Sequence, residues 1–299
     1  MFKRIAIFGV GLIGGSFGLA IRRAGLAERI VGVGRSRASL ERARELGIID
    51  EIATDAAQAV QGADLVLLAA PVAQTEAILR AIEPVLEPGT LVTDAGSTKC
   101  DVVQAARRAL GSKIAQFIPG HPIAGRELNG PDAALATLYQ GKKVVLAALA
   151  ENREQDIERV ASAWQACGAR IHRLSPENHD QVFAAVSHLP HLLAYALVDD
   201  IANKPNADLL FQYAASGFRD FTRIAGSSPE MWRDITLANR DAMLSELDAY
   251  LAQLQRLRAM LVERDGAALE AVYANARHAR ENWINAIEAG AQAAQQAQQ

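Results

Sequence analysis

Cysteine is scarce: Cys100 and Cys167 are the only two in 299 residues, and they stand far apart. Such a pair builds no disulfide framework, and it follows no metal-ligand spacing. Reduced, structural thiols in a cytoplasmic protein are expected. An excess of one charge is lacking as well. The 31 Lys and Arg oppose 34 Asp and Glu, and both signs are spread along the chain. That excludes an electrostatic nucleic-acid surface. No apolar run reaches the roughly 18 residues that span a bilayer, so no membrane segment is expected. No charged-then-apolar leader precedes the first strand-like run, so no signal peptide is expected. From Ala289 the sequence is alanine and glutamine, a low-complexity tail expected to fray or to end a loosely held helix.

What is present begins with a strand, a glycine turn and a helix start. Arg4 to Phe8 is apolar after its first residue, and Gly9-Val-Gly11-Leu12-Ile13-Gly14 follows. In this arrangement Gly9 makes the turn tight, Gly11 lets a phosphate approach the backbone, and Gly14 lets the helix pack close to the sheet. The helix expected over Leu12 to Arg23 offers free N–H groups and the positive end of its dipole. A dinucleotide-binding site at Gly9, Gly11, Leu12, Ile13 and Gly14 is the reading. The plain alternative is a strand-to-helix turn shaped only by packing.

Half of the residues are hydrophobic, enough for a sizeable core in two domains. Strands are expected at Ile30–Val33, Leu65–Ala70, Leu91–Asp94 and Gln116–Ile118. Helices are expected at Ser39–Leu46, Gln74–Leu86 and Thr98–Leu110. The strands are apolar runs without alternation, the pattern of parallel strands covered on both faces. Two further strands, Lys142–Ala148 and Arg170–Leu174, flank a helix through Trp164. The character changes at Ser175-Pro176, after which helical patterns follow one another: His179–Ile201, Asn206–Phe218, a stretch from Pro229, Asp241–Glu263 and Ala267–Ile287. The fold class is therefore α/β, an N-terminal Rossmann-type doubly wound parallel sheet over residues 1–174 followed by an all-helical C-terminal domain over 175–299. Apolar helices in such number favour a homodimer formed through the helical half.

An NAD site usually ends its second strand with an acid that binds the ribose hydroxyl. Here that position reads Val33-Gly34-Arg35-Ser36-Arg37, with no acid. Arg35 and Arg37 suit a 2′-phosphate through charge-assisted bonds, and Ser36 adds a hydroxyl. NADP is the expected preference, with NAD possible; alternatively the arginines are solvated and either cofactor serves. Pro71, closing the run 65–70, joins the expected cofactor contacts.

Five further segments carry chemistry: Asp94-Ala-Gly-Ser97-Thr-Lys99, Gly120-His121-Pro122-Ile-Ala-Gly125, Ser187-His188-Leu-Pro190-His191, Ser216-Gly-Phe-Arg219-Asp220-Phe-Thr-Arg223 and Met231-Trp232-Arg233-Asp234. The first two lie at carboxyl ends of strands, where open parallel sheets bind ligands. Together the five resemble the prephenate and arogenate dehydrogenases of tyrosine biosynthesis, over almost the whole chain. That resemblance implies oxidative decarboxylation of prephenate to 4-hydroxyphenylpyruvate, with hydride transfer to NAD(P) and no metal. The substrate is a small molecule, prephenate or arogenate; the sequence does not separate the two. No fused mutase or regulatory domain is expected.

By the same resemblance His121 is the catalytic base, at an imidazole pKa near its ordinary value. Ser97 contacts the ring hydroxyl and the catalytic histidine; its position also fits an N-cap for the helix from Thr98. Arg223 binds a substrate carboxylate, as a planar guanidinium can with both of its edges; the alternative is an ion pair with Asp220, which itself supports the arginines. His191 faces the substrate side chain. His188 is a weaker substrate contact, and His179 is placed with it at the periphery. Trp232 either reaches the partner subunit's site or anchors the core. After Gly125 the family often has a small residue; Arg126-Glu127 stands here, a basic group either drawing in a dicarboxylate or facing solvent. Two alternatives remain. A hydroxy-acid dehydrogenase of another two-domain family would rely on a helical lysine, whereas Lys204 sits beside Pro205. A non-enzymatic NADP sensor would dispense with His121, Ser97 and Arg223.

Overall fold

A computed structural model describes residues 1–126 and 128–296; Glu127, and with it part of the Arg126-Glu127 departure, lies outside the described residues, as do 297–299. The first strand, β1 (Phe2–Phe8), runs through the glycine turn into α1 (Leu12–Arg23). Then follow β2 (Ala27–Val33), α2 (Arg37–Glu45), β3 (Glu51–Ile52), α3 (Ala56–Val60), β4 (Leu65–Leu68), α4 (Thr75–Ile82), β5 (Leu91–Asp94), α5 (Cys100–Leu110) and β6 (Phe117–Ile118). These six strands form one sheet in the order β3-β2-β1-β4-β5-β6, and all pairings are parallel. The order reverses beside β1, which leaves a crevice at the carboxyl ends of β1 and β4. Alternation along β1 sends Ile5 and Ile7 to one face, with Phe17, Ile21 and Trp164, and Ala6 and Phe8 to the other, with Val66, Leu68, Leu79 and Val102. Each face buries its own core. The short β3 and α3 carry too few residues for a periodic signal, so the sequence did not announce them.

The strands expected at 142–148 and 170–174 form, but shorter and in a separate sheet. There β7 (Gly120–Pro122) pairs antiparallel with β8 (Lys143–Leu146), and β8 pairs parallel with β9 (Arg170–Arg173) across α6 (Glu154–Ala166). Pro119 has no N–H, so the large sheet's ladder stops there. Its carbonyl instead accepts from the Ala147 amide at 2.9 Å, which starts the second sheet. His121 thus lies on a strand of its own rather than at the end of the Gln116–Ile118 run.

Among the described residues no strand follows Arg173. Ser175 caps α7 (Pro176–Phe183), its hydroxyl accepting from the Asn178 amide at 3.1 Å. A π turn (Ala184–His188) then leads into α8 (Leu189–Ala202). Pro190 explains the wide turn: it offers no N–H, and its ring crowds the Val186 carbonyl four residues back. By length and composition Pro176–Ala202 is apolar enough to cross a membrane, which corrects the expectation that no such run exists. Its first turns are tied to the nucleotide-binding half, where Asp180 caps α5. The stretch expected as one helix over 206–218 breaks at Tyr213 into α9 (Ala207–Gln212) and α10 (Ser216–Thr222). Next come α11 (Pro229–Ala238), α12 (Arg240–Glu263) and α13 (Gly266–Gln296). The tail from Ala289, expected to fray or to end a loosely held helix, continues α13 as far as Gln296, in keeping with the helix propensity of alanine and glutamine.

The chain divides into two compact units, Met1–Met243 and Leu244–Gln299. The second consists of most of α12 and all of α13. It leaves Leu251, Leu254, Leu261, Tyr273, Trp283 and Ile287 exposed, a large apolar surface for helices that have water as the alternative.

Candidate active site

The glycine turn is built by packing at two of its three positions. Gly9 has φ +92°, and a Cβ there would stand 2.5 Å from the Ala69 carbonyl oxygen. A Cβ on Gly14 would lie 2.1 Å from the Gly9 carbonyl oxygen. Gly11 differs: a Cβ there would meet no protein atom within 4 Å. The protein's own packing gives no reason for its bareness, whereas a phosphate approaching the backbone does. Half-buried Leu12 and Ile13 open α1, whose first turn holds no acid and whose N-terminus has no side-chain cap. This turn fits a dinucleotide pyrophosphate. Backbone bonds from Gly9 N to Val33 O (2.8 Å) and from Ala69 N to Phe8 O (2.7 Å) gather the ends of β2, β1 and β4 around it. Pro71, two residues on, opens the 3-10 turn Val72–Gln74.

Ser36 is the N-cap of α2, its hydroxyl accepting from the Ser39 amide at 3.2 Å. Arg37 begins that helix and its Nε donates to Glu41 Oε1 at 2.9 Å. Arg35 is exposed, its guanidinium 3.9 Å from Glu230 Oε1 at the start of α11.

The second cluster forms where α7 meets the N-terminus of α5. That helix starts at Cys100, not Thr98, and the residue before it, Lys99, supplies no side-chain acceptor. The acceptor is Asp180 of α7. Its Oδ1 takes the Lys99 amide and its Oδ2 the Cys100 amide, both at 2.8 Å. Ser97, expected as a possible cap, sits in the preceding bend; its backbone bonds His188. A carboxylate satisfies two orphan amides at once and complements the dipole, which no serine does.

Asp180 Oδ1 also lies 2.8 Å from His179 Nδ1, and His179 Nε2 lies 2.8 Å from His121 Nδ1. Phe183 packs one turn along α7, 4.9 Å from the His121 ring centre. Burial pushes the His121 pKa well below the ordinary imidazole value, and the charges of His179, Lys99 and His188 push it the same way. The expected near-ordinary value is corrected accordingly. Burial also lowers His179, against the pull of Asp180. Burial acts to raise the Asp180 carboxyl, but hydrogen bonds from His179 and the two helix amides outweigh it and leave it low. His179, expected at the periphery, is the direct neighbour of His121.

Asn239 extends the array, its Nδ2 donating to the Asp180 carbonyl at 2.8 Å and lying 3.1 Å from His188 Nδ1. His188 is buried and its pKa falls to about 4, chiefly through desolvation. His191 is half-buried, and burial lowers its pKa against the pull of the Ser187 carbonyl. Its Nδ1 lies 2.8 Å from the Ser187 carbonyl, and its ring stacks on Trp232 with centres 3.5 Å apart. Arg223 is exposed at the head of a 3-10 turn, Arg223–Gly226, that packs on α8, the helix of His191. Arg126 is exposed. Among the described residues no group of histidine, cysteine, aspartate and glutamate is placed to hold a metal ion. Sequence reasoning missed Asp180, Asn239 and the Lys99–Asp94 pair. The only signals were adjacency, in His179-Asp180 and in the six residues from Asp94 to Lys99.

Comparison with known proteins decides what these features belong to. Residues 17–173 match the family described as "Prephenate dehydrogenase, nucleotide-binding domain", and residues 175–275 match "Prephenate dehydrogenase, dimerization domain". The chain belongs to the prephenate dehydrogenase family. Within it, the chain is 38% identical over 282 residues to the cyclohexadienyl dehydrogenase of Zymomonas mobilis, covering 94% of this chain and 96% of that one. It is 36% identical over 283 residues to the prephenate dehydrogenase of Bacillus subtilis, covering 94% and 76%. The solved prephenate dehydrogenase of Aquifex aeolicus, in complex with hydroxyphenyl propionate and NAD+, superimposes with a TM-score of 0.85 at 38% identity, covering 91% of this chain and 95% of that one. As a prephenate dehydrogenase family member the chain is a dehydrogenase, an oxidoreductase with a nicotinamide cofactor.

Proposed function

We propose that this chain oxidises and decarboxylates prephenate to 4-hydroxyphenylpyruvate, the aromatic keto acid from which tyrosine is made, and that arogenate is an alternative substrate. The observation that carries the reading is the half-buried His121 imidazole beside the carboxyl end of β5, tied there by the Gly120 amide bonding Asp94 Oδ1 at 3.0 Å. An imidazole kept neutral by burial is ready to accept a proton at neutral pH.

A nicotinamide held at the glycine turn would supply the acceptor for the hydride of the ring carbon that bears the hydroxyl. His121 accepts the hydroxyl proton as that bond breaks. The ring carboxylate leaves as carbon dioxide, its electron pair aromatises the ring, and His121 returns the proton to the phenolate oxygen. Ser97 orients the hydroxyl and the imidazole. Arg223 holds a substrate carboxylate with both edges of its guanidinium, and His191, stacked on Trp232, borders the side chain. His188 is a further, weaker substrate contact. Gly9, Gly11, Leu12, Ile13, Gly14 and Pro71 hold the dinucleotide, and Arg35, Ser36 and Arg37 favour NADP over NAD. The nucleotide half ends at residue 174 and the helical half begins at 175. The exposed apolar face of α12 and α13, together with the dimerization-domain match, supports a homodimer, and the cytoplasm is the compartment.

The test is a kinetic matrix of prephenate and arogenate with NAD and NADP, followed by nicotinamide absorbance. Prephenate-dependent reduction, lost at least about 100-fold in His121→Ala, is expected. No reduction with either substrate rejects the reading.

A further inference from the structure

We propose that Asp180 and His179 are positioning residues that fix the tautomer of His121, leaving its Nε2 as the bare nitrogen that accepts the substrate proton. The inference rests on the reading of His121 as the base. It follows from counting hydrogens along a chain of three side chains.

An ionised carboxylate only accepts. Asp180 is held in that form: its two oxygens receive the Lys99 and Cys100 amides at the positive end of α5. His179 Nδ1, 2.8 Å from Asp180 Oδ1, must therefore carry a hydrogen. A neutral imidazole carries one, so His179 Nε2 is bare. That atom lies 2.8 Å from His121 Nδ1, which must then be the donor. The remaining nitrogen of His121, Nε2, has no hydrogen. The groups facing this chain are Lys99 and Asp94 from the nucleotide side, His188 from the π turn, and Phe183 from α7. Phe183 offers no polar atom, and none of the charged groups reaches a hydrogen bond to His121 that would reverse the order. When His121 takes up a proton, its Nδ1–H remains directed at a neutral acceptor that is itself anchored on a carboxylate.

Asp180→Asn inverts the logic. With its carbonyl on the Cys100 amide, the side-chain NH2 stands at the Oδ1 position and presents N–H to His179 Nδ1. His179 then donates from Nε2, His121 Nδ1 must accept, and the proton of His121 moves to Nε2, where a base is needed. A misplaced tautomer of this kind costs about 10⁴-fold in a serine-protease triad.

The experiment is nitrogen-15 NMR of the full chain labelled at histidine, about one to two pH units above the ordinary imidazole pKa, with His121 assigned by the signals that vanish in His121→Gln. In the unaltered protein, His121 Nε2 is expected in the unprotonated range and Nδ1 in the protonated range. Asp180→Asn is expected to exchange the two and to lower kcat at least about 100-fold, with the KM for prephenate within about three-fold. His179→Gln, whose Oε1 still accepts from His121, is expected to keep more activity than His179→Leu. A proton on His121 Nε2 in the unaltered protein overturns the proposal, and that measurement needs no variant to fold. An Asp180→Asn enzyme in which the His121 tautomer has exchanged and kcat is unchanged overturns it too. The tautomer as proposed, without turnover of prephenate or arogenate, supports the positioning and counts against the reaction.

Discussion

Lys99 Nζ lies 2.5 Å from Asp94 Oδ2, and neither side chain meets solvent, at 0% and 3% exposed. The carboxylate does more than pair. Its Oδ2 accepts the Gly96 amide at 2.8 Å and its Oδ1 the Gly120 amide at 3.0 Å, so one group ties the loop before α5 to the strand of His121. Breaking a buried pair from one side leaves an uncompensated charge in low dielectric, at a cost of about 3–5 kcal/mol. Lys99→Met is expected to lose that much in urea unfolding. The double variant Lys99→Met, Asp94→Asn is expected to lose less than the sum of the singles. Unchanged stability in Lys99→Met refutes the account.

Acid should unfold this protein from the ordinary imidazole pKa downward. His188 falls from 6.5 to about 4, and His179 and His121 are lowered in the same direction, burial being the main cause for all three. Below pH 6.5 the unfolded chain binds protons that the folded chain refuses, so stability drops as pH falls, and for His188 the drop continues to about pH 4. The His188 share is about 3 kcal/mol at most. Asp180, held low, adds a loss in the same direction at still lower pH. Melting temperature measured between about pH 8 and pH 5 is expected to be flat and then to fall. His188→Gln is expected to flatten the fall; a profile level throughout removes the argument.

The parallel sheet was legible because its strands are buried on both faces, and continuous runs such as Leu65–Leu68 leave no other reading. The glycine turn was legible because its bare positions recur at a fixed spacing: Gly14 meets the Gly9 carbonyl within the turn, and Gly9 meets the Ala69 carbonyl at the end of the neighbouring strand. The site was legible only where a side chain acts alone, as with His121. The Asp180–His179–His121 chain was not, because it joins α7 to β7 across 58 residues of sequence. Ser97 misled for a physical reason: a serine before a helix is the usual cap, and here a carboxylate from a distant helix occupies that role. The second sheet was hidden by Pro119, whose missing N–H ends one ladder and starts another.

Cofactor choice is open to a single substitution. Arg37 is engaged by Glu41 within α2, while Arg35 stands exposed near Glu230. Arg35 is therefore the guanidinium more free to turn to a 2′-phosphate. Arg35→Ser is expected to reduce kcat/KM for NADP about ten-fold or more and to leave NAD within about two-fold, since a hydrogen bond to a charged group contributes about 1.5–3 kcal/mol. Equal losses with both coenzymes reject phosphate recognition by Arg35.

Arg223 is exposed and heads a turn packed on α8, the helix that carries His191. As the holder of a carboxylate, its loss should appear in binding more than in chemistry. Arg223→Ala is expected to raise the KM for prephenate at least about ten-fold with a smaller change in kcat. Arg223→Lys is expected to restore little, because an ammonium lacks the planar fork. An unchanged KM in the alanine variant would falsify the assignment.

The glycines separate folding from binding. Alanine at Gly14 sets a methyl group 2.1 Å from the Gly9 carbonyl oxygen and 2.9 Å from Ile7 Cγ2. Backbone cannot yield there without moving α1 off the sheet, so Gly14→Ala is expected to lower the melting temperature and to lose coenzyme with it. Alanine at Gly11 meets no protein atom within 4 Å. Gly11→Ala should therefore fold with a melting temperature within a few degrees of the unaltered protein, because only helix-terminal propensity changes, by about 1 kcal/mol or less. Its coenzyme dissociation constant should nevertheless rise at least about ten-fold, since the methyl group occupies the path by which phosphate reaches the backbone. Thermal melting and coenzyme fluorescence titration on the two variants give the comparison. If Gly11→Ala binds coenzyme normally, the turn is shaped by packing alone, and the pyrophosphate site lies elsewhere along the strand ends.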